Sequence, residues 1–134
     1  NPNLENKQDV AKKVGVGAVI FGALYNSKIK DIVFSYDKVL NFEGETSVYV
    51  QYTCARAKSV IAKGGIVEAC DLPELSNVEI ELIKALSAFP QTVKDAAEKY
   101  EPSFIARFAV DVAQKFNKFY DFRVFYCIYK EVQV

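Results

Sequence analysis

Histidine is absent from this 134-residue chain, and no other absence excludes as much chemistry. A His-based catalytic triad, an imidazole general base and a His-ligated metal cannot be built from its side chains. Methionine and tryptophan are also missing. Without methionine the chain does not begin at a natural initiator, and its polar opening, Asn1-Pro2-Asn3-Leu4-Glu5, reads as the edge of a piece cut from something longer. Cysteine is scarce: Cys54, Cys70 and Cys127 are odd in number, far apart and without metal-ligand spacing. Reduced thiols in a cytoplasmic protein are the simplest account, and no metal site is expected. Net charge is zero, with 17 basic and 17 acidic residues, which argues against a strongly basic module that grips duplex DNA. The apolar run 14–25 is too short for a bilayer, which takes about 20 residues, so a buried segment is expected and no membrane partner. Gly15 and Gly17 match part of a dinucleotide fingerprint, but Gly22 comes too late and no acidic residue follows at the right distance.

What is present is apolar and aromatic. Hydrophobic residues make up 51% of the chain, enough for a sizeable core in one domain, or one domain with an appendage. The aromatics are all Phe and Tyr. Acidic residues gather at Glu68, Asp71, Glu74, Glu79 and Glu81 with no base among them, and basic residues outnumber acidic ones thereafter. There is no internal repeat and no low-complexity segment.

Local signals predict helices through most of the chain. A helix begins near Lys7 and either ends at the glycines near Val19 or runs into the apolar segment. Residues 29–34 are β-prone, with Ile29, Asp31 and Val33 alternating with Lys30, Ile32 and Phe34, which predicts one strand. A helical turn fits residues 37–40. Thr46 is a good N-cap for a long helix to about Lys63, whose apolar stripe is Val50, Cys54, Ala57 and Ile61, and Gly64-Gly65 is a fitting end. After a loop carrying Pro73, Ser76 and Glu79 make a capping box ahead of Ile80, Leu82, Ile83 and Leu86. Pro90 suits the first turn of a further helix. Pro102 opens another, to about Tyr120, with the stripe Ile105, Phe108, Ala109, Val112, Phe116 and Phe119. Residues 123–134 are aromatic and β-branched and lean towards strand.

The stretch 42–56 stands out. A loop around Gly44 and Thr46 leads into a helix that carries Tyr49, Gln51, Tyr52 and Arg56. Tyr52 and Arg56 are one turn apart and Tyr49 lies on the same side. Two rings and a guanidinium on one face suit stacking on unpaired bases. The same spacing also describes a half-buried amphipathic helix with tyrosine hydroxyls at its rim.

Phe42-Glu43-Gly44-x-Thr46-x-x-Tyr49-x-Gln51-Tyr52-x-x-Ala55-Arg56 closely resembles a signature of arginyl-tRNA synthetases. Upstream, Val14-Gly15-Val16-Gly17-Ala18-Val19 and Asp31-x-Val33-Phe34-x-x-Asp37 are similar to that family in the same order. So are Leu86-x-Ala88-Phe89-Pro90, Glu101-Pro102 and Ala113-x-x-Phe116-Asn117-x-Phe119-Tyr120 downstream. The resemblance covers about residues 10–120. It implies a mainly α fold, a helical bundle of the anticodon-binding (DALR) type, with a short mixed α/β entry segment. Residues 1–43 would be the end of the catalytic body and a connecting segment, and 44–134 the helical anticodon-binding domain.

The family as a whole joins L-arginine to its transfer RNA using ATP and Mg2+. Its His-rich motif and Lys-Met-Ser-Lys-Ser-like loop are not in this sequence, so the chain itself is expected to be non-catalytic and to need no cofactor. The implied partner is an arginine-specific tRNA, gripped at its anticodon arm by Gly44, Thr46, Tyr49, Gln51, Tyr52 and Arg56. Tyr49 and Tyr52 would stack on or pack beside bases, and Arg56 would contact a base edge or phosphate. Gly44 would let the loop backbone approach the RNA, and Gln51 would read a base or hold its helix to a neighbour. Phe116, Asn117 and Tyr120 read as structural, with Asn117 making a hydrogen bond in mid-helix.

Two departures stand out. Val48 occupies a position where the family usually has proline, and the last residues do not follow the family's final long helix. The second departure predicts a groove between the earlier helices that is left partly open, with self-association through its apolar surface. Zero net charge and the acidic 68–81 stretch keep a second reading in play, a helical protein-interaction bundle with no RNA role. An enzyme acting through carboxylates is the weakest alternative, since no close pair is suggested.

Overall fold

The computed structural model describes residues 5–64 and 74–131, with side chains to Arg123. Six helices follow in order: α1 (Lys7–Tyr25), α2 (Tyr36–Val39), α3 (Ser47–Gly64), α4 (Asn77–Ser87), α5 (Phe89–Glu98) and α6 (Ser103–Glu131). The mainly α reading therefore holds.

The starts of these helices follow from local chemistry. Thr46 Oγ1 accepts a hydrogen bond from the Tyr49 amide at 3.2 Å, satisfying one of the orphan donors of α3. Ser76 and Glu79 form the reciprocal capping box at α4, where Glu79 accepts from the Ser76 amide at 2.9 Å. The backbone and hydroxyl of Ser76, and then Arg123, hold the Glu79 carboxyl below the usual carboxylate range. Pro90 sits in the first turn of α5, where its missing N–H has no intrahelical partner to lose.

Two sequence expectations are corrected. Residues 29–34 are not a strand, and no strand occurs among the described residues. Ile29 and Val33 are each 85% exposed, so this run lacks the neighbour and the packed face that turn β-propensity into a sheet. The mixed entry segment is thus α1, α2 and irregular chain. Residues 123–131 are not strand either: α6 runs on past Tyr120 to Glu131. Extending an existing helix carries no nucleation cost, whereas a lone strand has nothing to pair with. Arg123 also ion-pairs with Glu79, which ties this part of α6 to the start of α4.

Helix α1 runs through both glycines, so Gly15 and Gly17 form no phosphate loop. Their surroundings differ: Gly15 faces open space, while a Cβ on Gly17 would lie 2.6 Å from Gln51 Nε2. That close approach lets α1 lie against α3. No described helix is long and apolar enough to cross a membrane.

α6 is the hub, packed against α1, α3, α4 and α5. Its most buried line is Ser103, Ala106, Val110 and Ala113, beside the stripe expected from the sequence. Small side chains let the partner helices come close on that line. The larger Phe108, Val112 and Phe116 are half-buried, and they wall an apolar groove of about 400 Å3 with Val50 and Ala57 of α3, Leu82 and Leu86 of α4, and Phe89. An apolar groove thus lies between α3, α4 and α6 among the described residues.

Candidate nucleic-acid interface

The loop before α3 is built by its own polar groups. Asn41 Oδ1 accepts from the Glu43 amide at 2.9 Å, and Thr46 Oγ1 donates to the Asn41 carbonyl at 2.6 Å. Gly44 has a φ of 91°, a conformation open to glycine and costly for L side chains. Glu43 and Glu45 flank it, so its exposed backbone lies between two carboxylates. Tyr25 of α1 and Glu45 of this loop line the same pocket. Burial, then hydrogen bonding with Glu45 and the Glu45 charge, push the Tyr25 phenol up to about 12, against the opposing pull of Arg107.

The first turns of α3 sort the expected residues onto different sides. Val48, standing where proline is usual in the resembled family, is only 4% exposed and joins the core. Gln51 donates to Ser47 Oγ at 2.7 Å and lies against Gly17 of α1. Of its two expected roles, this position suits holding α3 to its neighbour. Tyr52 is 50% exposed, and Arg56 is one turn further on.

Arg56 is enclosed rather than free. Its guanidinium carbon lies 4.7 Å from the Tyr52 ring centroid and 4.8 Å from that of Tyr120 on α6. Nη2 donates to the Tyr52 hydroxyl at 2.6 Å, Nη1 donates to Asn117 Oδ1 at 2.9 Å, and Asp121 stands 3.8 Å away. The result is a Tyr–Arg–Tyr stack held from below by Asn117.

Asn117 connects α3 to α6. Arginine can only donate, so it sets the amide with its oxygen towards Arg56. The Asn117 Nδ2 group then donates to the Tyr49 hydroxyl at 2.9 Å and to Thr53 Oγ1 at 2.8 Å. Thr53 Oγ1 in turn donates to the Tyr49 carbonyl at 2.9 Å. The hydrogen bond expected of this mid-helix asparagine is thus made to the protein. Tyr49 is half-buried with its hydroxyl turned inward, behind the stack rather than on its outer face.

In front of the stack lies an open cleft of about 370 Å3 lined by Tyr52, Ala55, Arg56, Ser59, Val60, Lys63 and Tyr120. Its size falls in the range of small-ligand clefts, about 300–1,000 Å3. Two of its lining residues are basic and two are aromatic, and no carboxylate among the described residues lines it. Of the residues singled out from the sequence, Tyr52 and Arg56 meet here. Tyr49 supports them from behind, Gln51 faces α1, and Gly44 and Thr46 shape the loop that starts α3. Lys63 and Tyr120 were missed as lining residues. Tyr120 lies three residues beyond Asn117, one turn along the same face of α6, and that spacing was the available signal.

Three comparisons bear on this geometry. The sequence profile of the DALR anticodon binding domain matches residues 50–132. An arginine–tRNA ligase of Clostridium botulinum (strain Alaska E43 / Type E3) is 52% identical over 123 residues, covering 90% of this chain and 22% of the relative. One of Halothermothrix orenii matches at 52% identity with the same coverage. Among solved structures, Thermus thermophilus arginyl-tRNA synthetase superposes with a TM-score of 0.84 at 37% identity, over 90% of this chain and 20% of that one. The chain thus spans about a fifth of the length of these relatives.

Proposed function

This chain belongs to the DALR anticodon-binding domain family, and on that premise we propose that it grips the anticodon arm of an arginine-specific tRNA as part of an arginine–tRNA ligase. The observation that carries the reading is the Tyr52–Arg56–Tyr120 stack beside Lys63, open to solvent on one side. An unpaired base can lie on the exposed half of the Tyr52 ring, and Lys63 supplies charge for a phosphate. Arg56 acts mainly by holding the two rings in place and keeping a positive charge behind them. Tyr49 acts through Asn117, and Gly44 and Thr46 through the shape of the loop. ATP and Mg2+ enter only as cofactors of the whole ligase, and cytoplasmic residence goes with that assignment.

The test is a titration of the 134-residue chain with an arginine-specific anticodon stem-loop, beside one with the central anticodon base changed, at fixed moderate salt. Tighter binding to the cognate loop is the expected result. Equal binding to both loops would remove sequence reading from this chain, and no binding to either would favour a protein-interaction bundle.

We also assign self-association to the apolar groove between α3, α4 and α6, whose rim carries Leu86 at 52% and Phe89 at 48% exposure. Light scattering over a concentration series is expected to show a rising molar mass. A constant monomer mass at high concentration would count against this role.

A further inference from the structure

Helix α5 ends in a paired-bond cap. The Tyr100 amide donates to the Ala97 carbonyl at 3.2 Å and the Glu101 amide to the Ala96 carbonyl at 2.9 Å. This Schellman arrangement puts Tyr100 in the left-handed region, with φ 50°, where glycine is the usual occupant. An L side chain with a Cβ is strained there. The fold draws nothing visible from the ring in return: it is 82% exposed and makes no hydrogen bond or ring contact with the described residues.

The backbone beneath this ring is locked from a distant part of the chain. Lys28 Nζ donates to the Lys99 carbonyl at 2.8 Å and to the Tyr100 carbonyl at 3.2 Å, and Ser27 Oγ donates to Glu101 Oε2 at 3.1 Å. The ring therefore projects from a braced turn rather than a loose loop. Two ammonium groups belong to the same turn: that of Lys28 is bonded to the Tyr100 carbonyl, and that of Lys99 lies over the Phe104 ring, 4.9 Å from its centroid. Burial works to raise the Glu101 pKa, but hydrogen bonds from Ser103, Ser27 and the Lys28 backbone outweigh it and hold the carboxyl below the usual carboxylate range. Strain retained at an exposed, braced aromatic is a feature of binding positions. The chemistry fits a base with its phosphate.

We propose that Tyr100 is a second stacking point for the same RNA, taking an unpaired base on its exposed ring with Lys28 and Lys99 near the adjoining phosphates. It lies beyond the start of α6, whereas Tyr120 is about 25 Å further along that helix at 1.5 Å per residue. The two points would thus touch separate parts of the RNA. This inference rests on the RNA-binding reading above.

The test uses a labelled transcript of the whole arginine-specific tRNA, with anisotropy read at fixed salt and melting temperature read in parallel. Tyr100→Gly is expected to raise the melting temperature, because the strain is relieved, while weakening tRNA binding about five- to a hundred-fold. Tyr100→Phe is expected to keep affinity within about twofold, since its ring also stacks. Tyr100→Gly with unchanged affinity overturns the proposal and leaves the RNA reading intact. A fall in melting temperature in Tyr100→Gly also overturns it, because the ring would then be supporting the fold. Failure of the unaltered chain to bind the transcript overturns both readings.

Discussion

Asn117→Ala is expected to lower the stability of the fold by about 2–3 kcal/mol, the largest effect of a single substitution at the junction of α3 and α6. One amide carries three hydrogen bonds there, accepting from Arg56 and donating to Tyr49 and Thr53. A neutral bond contributes about 0.5–1.5 kcal/mol net and one to a charged group about 1.5–3 kcal/mol. The Arg56 side chain retains 25% of its exposure, so water replaces part of what it loses and the sum falls below the simple total. Asn117→Asp is expected to fall between the two, because the carboxylate still accepts from Arg56 and the Tyr49 hydroxyl can turn round to donate. Asp121, 3.8 Å from the same guanidinium, opposes that second charge. Urea denaturation with the slope held constant measures the difference. A loss under about 0.5 kcal/mol for the alanine variant would mean that the network does not hold these helices together.

The second large effect is on binding. Tyr52→Ala is expected to weaken binding of the anticodon stem-loop by about 1–3 kcal/mol, a factor of roughly five to more than a hundred. Its effect on stability is expected to be small, about 1 kcal/mol or less, from losing one cation–π contact and one exposed hydrogen bond. The reason is geometric. Tyr52 is already half exposed to water, and Arg56 keeps Tyr120 on its other side and its bond to Asn117. Stem-loop titration and a melting curve on the same variant separate the readings. A large fall in melting temperature with little change in affinity for the folded protein would place Tyr52 in the core.

These two residues also show how far the sequence could be read. The pairing of Tyr52 with Arg56 was legible, because residues four apart on a helix meet whatever surrounds them. That Asn117 needed a partner was legible as well, because an amide in mid-helix is poorly served by the helix itself. Its partners were not legible: Arg56 is 61 residues away and Tyr49 is 68. Tyr49 and Tyr52 looked alike from their spacing, yet one hydroxyl turns to Asn117 and the other meets the arginine. The β-prone residues at 29–34 and 123–131 misled for the same reason. Strand propensity reports fitness for a packed sheet face, and neither run has a sheet to join among the described residues.

Sequence by itself determined the class of the molecule: a mainly helical body, helix starts at Thr46, Ser76, Pro90 and Pro102, and no imidazole chemistry. These depend on contacts within a few residues, such as a cap, a proline ring or a missing residue type. Only the tertiary structure decided which side of α3 is surface. Gly17 of α1 takes Gln51, and α6 brings Tyr120 and Asn117 to Arg56. Those choices follow from which small residues let two helices approach, a property of pairs of distant segments that no single stretch contains.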